Sequence, residues 1–402
     1  MKWSAIRSLH PRYSFCWRSR ARRNRTSLRP RLKNLLSISK ILNEDRTIWV
    51  RLPYRFDERE KYPVLYMTDA GSQVNEIASS ADFLAGEDRM PKIIVVGIVN
   101  TNRMRDLTPT RGHLHWPDGS VRDFPESGGG DRFFDFVQAE LMPEIEKRYH
   151  TQPYRIFAGH SLGGLMAIHV LTTRPDLFNA YIAASPALQW DDGHTFHQAE
   201  AFLARTPELR RTLFFSISSE RDAPGEMGDY VNKLTALLKQ HAPKGLIWSS
   251  ERYPDEDHDS TVLRAHYAGL KTVFSDWLMP TDPRTDIAVG GLAGIEKHYR
   301  ELSERFGFQV SSERAINNFA YGLMRRNLKE AVAVFKRNVE LYPDSANTYD
   351  SLAEAYERAG NREAAEDSCR QAIEVAIRNH DPRLEAFQKH LKQISAGSAS
   401  AQ

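Results

Sequence analysis

Apolar residues are spaced along this chain in two alternating ways, and the alternation predicts its architecture. Short runs rich in Val, Ile and aromatic residues lie at 46–53 (RTIWVRLP), 62–70 (YPVLYMTDA), 92–100 (KIIVVGIVN), 155–161 (RIFAGHS), 178–187 (FNAYIAASPA), 211–219 (RTLFFSISS) and 245–254 (GLIWSSERYP). The second and third are almost continuously apolar, as in strands buried on both faces. Segments with helical spacing separate many of them. In 128–149, Phe133, Phe136, Val137, Leu141 and Ile145 share one face. Further helices are predicted after Ser161, over 226–241 and over 261–278. Strands alternating with helices imply an α/β fold with a mostly parallel sheet covered on both faces.

The β pattern stops after about residue 279. Residues 280–295, rich in Pro, Gly and Asp, read as a linker, and 296–402 as an all-helical region. Two stretches there match at a separation of 34: Ala331 with Ala365, Phe335 with Cys369, Asn338 with Ala372. Tyr349, Leu352, Ala353 and Tyr356 hold an aromatic-x-x-Leu-small-x-x-Tyr spacing, and Pro343 ends the first copy. Period and positions resemble tetratricopeptide repeats, which implies a groove for a protein partner or self-association. Helices near 296–310 and 383–394 are expected to flank the pair, or the array to pack on the α/β domain at 38–279.

Charge changes the picture at the N-terminus. The chain of 402 residues has a net charge of +3, yet residues 1–40 hold twelve Lys or Arg and no Asp or Glu. The remainder is mildly acidic, which argues against nucleic-acid binding. Residues 1–37 read as a basic, disordered tail lacking the apolar core of a secretory signal. A cytoplasmic location follows, with a periplasmic or secreted one left open should the N-terminus be misassigned. No apolar run is long enough to span a bilayer. Two cysteines, Cys16 and Cys369, exclude a disulfide framework and argue against a cysteine-based metal site.

The candidate chemistry lies in GHSLGG, residues 159–164. It fits G-x-S-x-G with a strand before and a helix after, the context that motif needs. A serine hydroxyl is a weak nucleophile, and a sharp turn thrusts it toward a base. Gly159 and Gly163 supply the room. Ser161 is the candidate nucleophile, and helix N–H groups beginning with that of Leu162 face a developing oxyanion. The base is expected later in the chain. Of the nine histidines after Ser161, His298, His380 and His390 fall in the helical region. Among His169, His194, His197, His241, His258 and His266, the polar loop YPDEDHDS singles out His258, after the last strand and before the last helix of the α/β domain. His194 and His197 are read as loop residues. The orienting acid follows RTLFFSISS: Glu220 is favoured as the first carboxylate off the strand, with Asp222 the alternative. A second oxyanion donor is assigned to the backbone at Gly71 in DAGSQ. Arg103 and Arg105 in NTNRMRDLTPT are candidates to hold an anionic or catecholate group, unless one of them pairs with Asp106. Trp190 is a candidate pocket wall or a core aromatic.

Seven blocks in order, ILNEDRTIWVRLP, YPVLYMTDAG, IIVVGIVNTNRMRDLTPT, GGGDRFFDFVQAELMPEIEKRY, AGHSLGGLMAIHVL, SPALQW and YPDEDHDS, resemble the esterase D-type branch of α/β-hydrolases. That branch includes enterobactin-type siderophore esterases, feruloyl esterases and S-formylglutathione hydrolases. The resemblance spans about 38–279. It implies a serine carboxylesterase with Ser161 as nucleophile, His258 as base and Glu220 as acid, acting on a small-molecule ester without metal or organic cofactor. MTDAG departs from the branch's usual Leu-Leu-Asp-Gly by displacing the glycine one position. Two other readings stay open: acyl transfer to another alcohol at the same site, decided by water exclusion, and a non-catalytic scaffold, decided by fluorophosphonate labelling.

Overall fold

The computed structural model describes residues 32–116, 118–220, 226–282 and 288–396. Its centre is a mixed eight-stranded sheet. In chain order the elements are β1 (Leu32–Ser39), β2 (Glu44–Arg51), β3 (Tyr62–Met67), α1 (Ala70–Gly86), β4 (Ile94–Ile98), α2 (Arg103–Asp106), a hairpin of β5 (His113–His115) and β6 (Val121–Asp123), α3 (Gly130–Phe136), α4 (Met142–Arg148), β7 (Thr151–His160), α5 (Leu162–Thr173), β8 (Ala180–Ala184), α6 (Trp190–Arg205), β9 (Thr212–Ser218), α7 (Met227–His241), β10 (Ile247–Tyr253) and α8 (Val262–Val273). The sheet runs β1-β2-β4-β3-β7-β8-β9-β10. The β1–β2 and β2–β4 pairs are antiparallel, and from β4 onward every neighbour is parallel. Strands β3, β4, β8 and β9 are buried along their whole length. That burial explains their unbroken apolar composition.

Each face of the sheet has its own core. On one, Phe133, Phe134, Leu165, Met166, Trp190 and Leu234 pack against the inward side chains of the strands. On the other, Val74, Ile77, Leu270 and Val273 do so from α1 and α8.

The chain departs from the sequence expectations in several places. Residues 32–37, assigned to the basic tail, belong to β1, whose register with β2 is continuous from Leu32↔Arg51 to Ser39↔Glu44. It is an edge strand with Leu36 and Ile38 exposed, so burial left no pattern in its sequence. The single helix expected at 128–149 is two, joined by a π-turn over Val137–Leu141. Pro143 lacks the N–H that would bond the carbonyl one turn back, and the wider turn accommodates it. Glu140, in that turn, accepts from Ser39 Oγ at 2.6 Å and from the N–H groups of Lys40 and Ile41. His194 and His197 lie on α6, not in a loop. The turn signal Asp191-Asp192-Gly193 sits inside this element as a left-handed kink with φ of 52°, 52° and 77°. Lastly, Gly291–Ile295, assigned to the linker, open a helix.

That helix is α9 (Gly291–Phe306), followed by α10 (Glu313–Leu323), α11 (Leu328–Leu341), α12 (Ala346–Arg358), α13 (Arg362–Arg378) and α14 (Leu384–Ala396). Asn327 and Asn361, 34 residues apart, cap α11 and α13 in the same way, each accepting the N–H three residues on. Helix α9 docks on the sheet domain. Phe306 packs on Tyr154 at 4.9 Å and Phe274 at 5.4 Å between ring centres, with Trp277 at 5.5 Å. No described helix is long and apolar enough to cross a membrane.

Candidate active site

The turn from β7 to α5 is built around two missing side chains. A Cβ at Gly159 would lie 2.4 Å from the carbonyl of Gly163, and one at Gly163 would lie 2.4 Å from Thr68 Oγ1. The first absence lets α5 fold back on its own strand, and the second lets the turn after β3 come alongside. Between them Ser161 adopts φ 59° and ψ −115°, a conformation that a non-glycine residue holds only under constraint. Its N–H bonds the Ala184 carbonyl at 2.9 Å, and its own carbonyl accepts from Leu165 and Ala187. The backbone is clamped while the half-buried side chain stays reachable. Leu162 opens α5, so its N–H, like those after it, has no acceptor within the helix. Gly71 is the second residue of α1, following Asp69, which stands at φ 56°. Its N–H is also a first-turn orphan, but Gly71 is exposed with nothing crowding it. The close approach expected there occurs at Gly163 instead.

The loops after β9 and β10 meet beside this turn. His258 Nδ1 lies 2.8 Å from Glu220 Oε2. Glu220 stands at φ 52°, and its Oε1 accepts from the Ser218 hydroxyl at 2.7 Å and the Ser218 N–H at 3.2 Å. Burial alone would raise the Glu220 carboxyl. The hydrogen bonds and charge of His258, with the Ser218 hydroxyl, outweigh it and hold the group at about 2. The carboxylate is therefore ionised at any pH where an esterase works. A backbone bond from Ser219 N–H to Glu256 carbonyl, 3.0 Å, ties the two loops together. Asp222, the alternative acid, lies outside the described residues.

His160, the residue before Ser161, was not singled out from sequence. Its ring stands 4.5 Å from that of His258, centre to centre, and its Nε2 donates to the His258 carbonyl at 2.7 Å. Burial, reinforced by His258 and Arg103, pushes its imidazole down to about 4, so it is neutral at pH 7. Asp69 is also part of this neighbourhood. It takes bonds from Asn100, from Arg103 Nε at 2.7 Å and from Arg103 Nη2 at 3.3 Å. The same Arg103 nitrogen reaches the His160 carbonyl at 3.1 Å. Asp69 lies two residues beyond β3, at a position the sequence reading placed within the strand.

Other sequence candidates fall away. Arg105 spends its guanidinium on Glu44, at 2.6 and 3.0 Å, and on Asp106 at 2.8 Å; it fixes the loop and is removed from the substrate-binding set. Trp190 is fully buried, its Nε1 donating to Thr110 Oγ1 at 3.2 Å and its ring against Phe124. It is a core aromatic and walls no open pocket. His169 is buried and bonded at both nitrogens, to Gln198 and Asp131. His266 is buried within α8. Arg103, a third exposed, is the cation that still borders the turn.

The family described as Esterase, "Putative esterase", matches residues 39–260. The ferri-bacillibactin esterase BesA of Bacillus subtilis is 30% identical over 240 residues, covering 55% of this chain and 82% of that protein. The siderophore enterobactin esterase of Emericella nidulans is 34% identical over 206 residues, covering 44% and 67%. Among solved structures, an IroE-like serine hydrolase from Shewanella oneidensis has a TM-score of 0.67 at 30% identity, covering 78% of this chain and 100% of that one. An uncharacterised protein from Capnocytophaga ochracea, 17% identical, shares the fold at a TM-score of 0.63 over 91% of this chain and 100% of that one. A match over more than half of the residues, on a sheet of this topology, makes the chain a member of the esterase family and a carboxylic ester hydrolase of the α/β-hydrolase fold.

Proposed function

We propose that the protein hydrolyses its ester through an acyl-enzyme on Ser161, with His258 as general base and Glu220 as the orienting acid. The observation that carries this reading is the 2.8 Å pair of His258 Nδ1 and Glu220 Oε2, standing beside a serine in a constrained turn. With Nδ1–H donated to the carboxylate, Nε2 carries the lone pair that takes the Ser161 proton. The Oγ–C bond forms as the carbonyl π pair moves to oxygen, where the N–H of Leu162 and one from the turn at Ala70 and Gly71 receive it. His258 then returns the proton to the leaving alcohol, and a water deprotonated by the same ring releases the acid.

For the substrate we favour a siderophore-type ester, within the esterase D-type branch. The support is the names of relatives, a ferri-bacillibactin esterase, a siderophore triacetylfusarinine C esterase of Aspergillus fumigatus and a siderophore enterobactin esterase, and an arginine, Arg103, at the border of the turn, suited to an anionic or catecholate group. Helices α10–α13 are read as two tetratricopeptide-like repeats, supported by the matched caps at Asn327 and Asn361, with a protein partner or self-association as their role. The test is Ser161→Ala. Loss of one member of such a unit costs on the order of 10⁶ in kcat, and labelling by a fluorophosphonate should vanish. A folded Ser161→Ala protein keeping more than a few per cent of the activity ends the serine mechanism. A panel of a trilactone siderophore, a feruloyl ester and S-formylglutathione tests the substrate class separately.

A further inference from the structure

We infer that His113, His115 and Asp192 form a site for a divalent first-row transition-metal ion, with Asp191 as the carboxylate that orients His113. The site lies outside the constellation around Ser161 and joins the β5–β6 hairpin, which follows β4 and α2, to the start of α6, which follows β8.

The argument begins with strand period. His113 and His115 are two apart on β5, so both imidazoles stand on one face of the hairpin while Leu114 turns inward and is 9% exposed. Their rings are 5.2 Å apart, centre to centre. Facing them is the left-handed kink of Asp191 and Asp192. Gly112 allows the approach: a Cβ there would lie 2.7 Å from Asp191 Cβ and 2.9 Å from Trp190 Nε1. The Asp192 carboxylate reaches both rings, with Oδ1 2.9 Å from His115 Nε2 and Oδ2 3.3 Å from His113 Nε2. One ligand atom from each of the three residues lies within 4.8 Å of the others.

Those distances suit an ion. Nitrogen and oxygen ligands held about 2.1 Å from a tetrahedral metal are about 3.4 Å from one another. Each imidazole already stands near that length from one oxygen of the carboxylate, His115 from Oδ1 and His113 from Oδ2, and the side chains are exposed enough to draw in around a single ion: His115 is 57% and Asp192 68% exposed. Asp191 Oδ1 stands 3.5 Å from His113 Nδ1. A proton held on that side leaves the Nε2 lone pair pointing at the ion, the arrangement by which carboxylates set the tautomer of metal-bound histidines. Two imidazoles and a carboxylate suit Zn²⁺, Co²⁺ or Ni²⁺ and discriminate against Ca²⁺ and Mg²⁺, which want oxygen ligands. With three protein ligands at an exposed position, the remaining coordination falls to water. The ion would pin the β5–β6 hairpin to the start of α6. The connection leading into α6 carries Ala187, whose N–H holds the Ser161 carbonyl at 3.1 Å.

The experiment uses full-length, untagged protein stripped with EDTA, titrated calorimetrically with ZnCl₂ or CoCl₂ at neutral pH, with Co²⁺ absorption as the spectroscopic readout. We expect saturable binding with Kd in the micromolar range (about 10⁻⁶ to 10⁻⁵ M), and no binding of Mg²⁺ or Ca²⁺. The double substitution His113→Ala with His115→Ala should abolish that binding with circular dichroism unchanged, and Asp191→Asn should weaken it about 10- to 100-fold. His390→Ala, in the separate group of Asp350, Cys369 and His390, should leave it unchanged. No saturation by about 1 mM, or equal affinity in the double variant, overturns the site. Wild-type affinity in Asp191→Asn overturns the orienting role.

Discussion

Replacing Glu220 by Gln is the sharpest probe of the site, because it keeps the shape and changes one proton. In the wild type, Oε1 accepts two bonds from Ser218 and Oε2 faces His258 Nδ1 at 2.8 Å. A glutamine must keep its oxygen toward Ser218, whose N–H and hydroxyl both donate there. Its NH₂ then faces the ring, and Nδ1 must turn from donor to acceptor. The imidazole proton moves to Nε2, and the base toward Ser161 is lost in the resting enzyme. The equivalent change in a chymotrypsin-type triad costs about 10⁴ in kcat. Here we expect a loss of about 10³- to 10⁴-fold, or about 4–5.5 kcal/mol of transition-state stabilisation. KM should barely move, because in the proposed mechanism Glu220 acts on substrate only through His258. The assay is steady-state hydrolysis of p-nitrophenyl acetate by both proteins, with circular dichroism to verify folding. A folded Glu220→Gln enzyme within tenfold of wild-type kcat refutes the reasoning. If Asp222→Asn then shows the large loss, the two carboxylates exchange roles.

Three further outcomes follow from the same contacts. The Glu220 carboxyl lies well below its ordinary 4.5, at about 2. A lowered carboxylate gives stability that is present above pH 4.5 and fades as the pH falls toward 2; the wild type should lose up to about 3 kcal/mol more than Glu220→Gln over that interval in urea unfolding. Gly159→Ala should abolish turnover, because its Cβ meets the Gly163 backbone at 2.4 Å and backbone cannot rotate away; we expect a stability cost of at least about 1–3 kcal/mol, read by thermal melting, and soluble enzyme retaining full kcat contradicts it. Arg46 is fully buried, bonded to Asp106 at 2.6 Å and Glu44 at 2.5 Å, and stacked on Phe133; Arg46→Met strips a buried carboxylate of one partner and should cost about 3–5 kcal/mol of the unfolding free energy measured in urea, without changing kcat per folded molecule.

The parts of this fold that could be read from sequence are those where burial leaves a periodic trace. Strands β3, β4, β8 and β9 are buried at every position, and their apolar runs announced them. Strand β1 sits at an edge with Leu36 and Ile38 in solvent, so its sequence answers to solubility and charge, and it looked like tail. Helix α1 buries Val74, Ile77, Ala81 and Leu84, but small and polar residues among them blur the stripe. The turn at Ser161 was legible because its glycines are forced by contacts at 2.4 Å, and such contacts restrict composition. His258 and Glu220 were legible by position alone, Glu220 two residues beyond β9 and His258 in the polar loop between β10 and α8. The roles of Arg105 and Trp190 were not, since partners such as Glu44 and Thr110, 61 and 80 residues away, leave no local signature. His160 hid inside the motif itself: its bond crosses 98 residues to the His258 carbonyl.

The aromatic seam beneath α9 bears on cooperativity. Tyr154 belongs to β7, the strand that leads into the turn at Ser161, and Phe306 rests on its ring. Phe274 and Trp277 complete the stack, and Arg305 pairs with Asp276 and donates to the Val273 carbonyl at the seam's margin. Large rings fitted this way cannot separate one at a time: pulling α9 free exposes all four to water together, along with Leu302 and Val310. The helical region and the catalytic sheet should therefore melt in a single calorimetric transition, with the van't Hoff and calorimetric enthalpies in agreement. A protease that nicks the chain between α8 and α9 would leave the two pieces associated and active, much as a noncovalent complex of fragments outlives a broken bond.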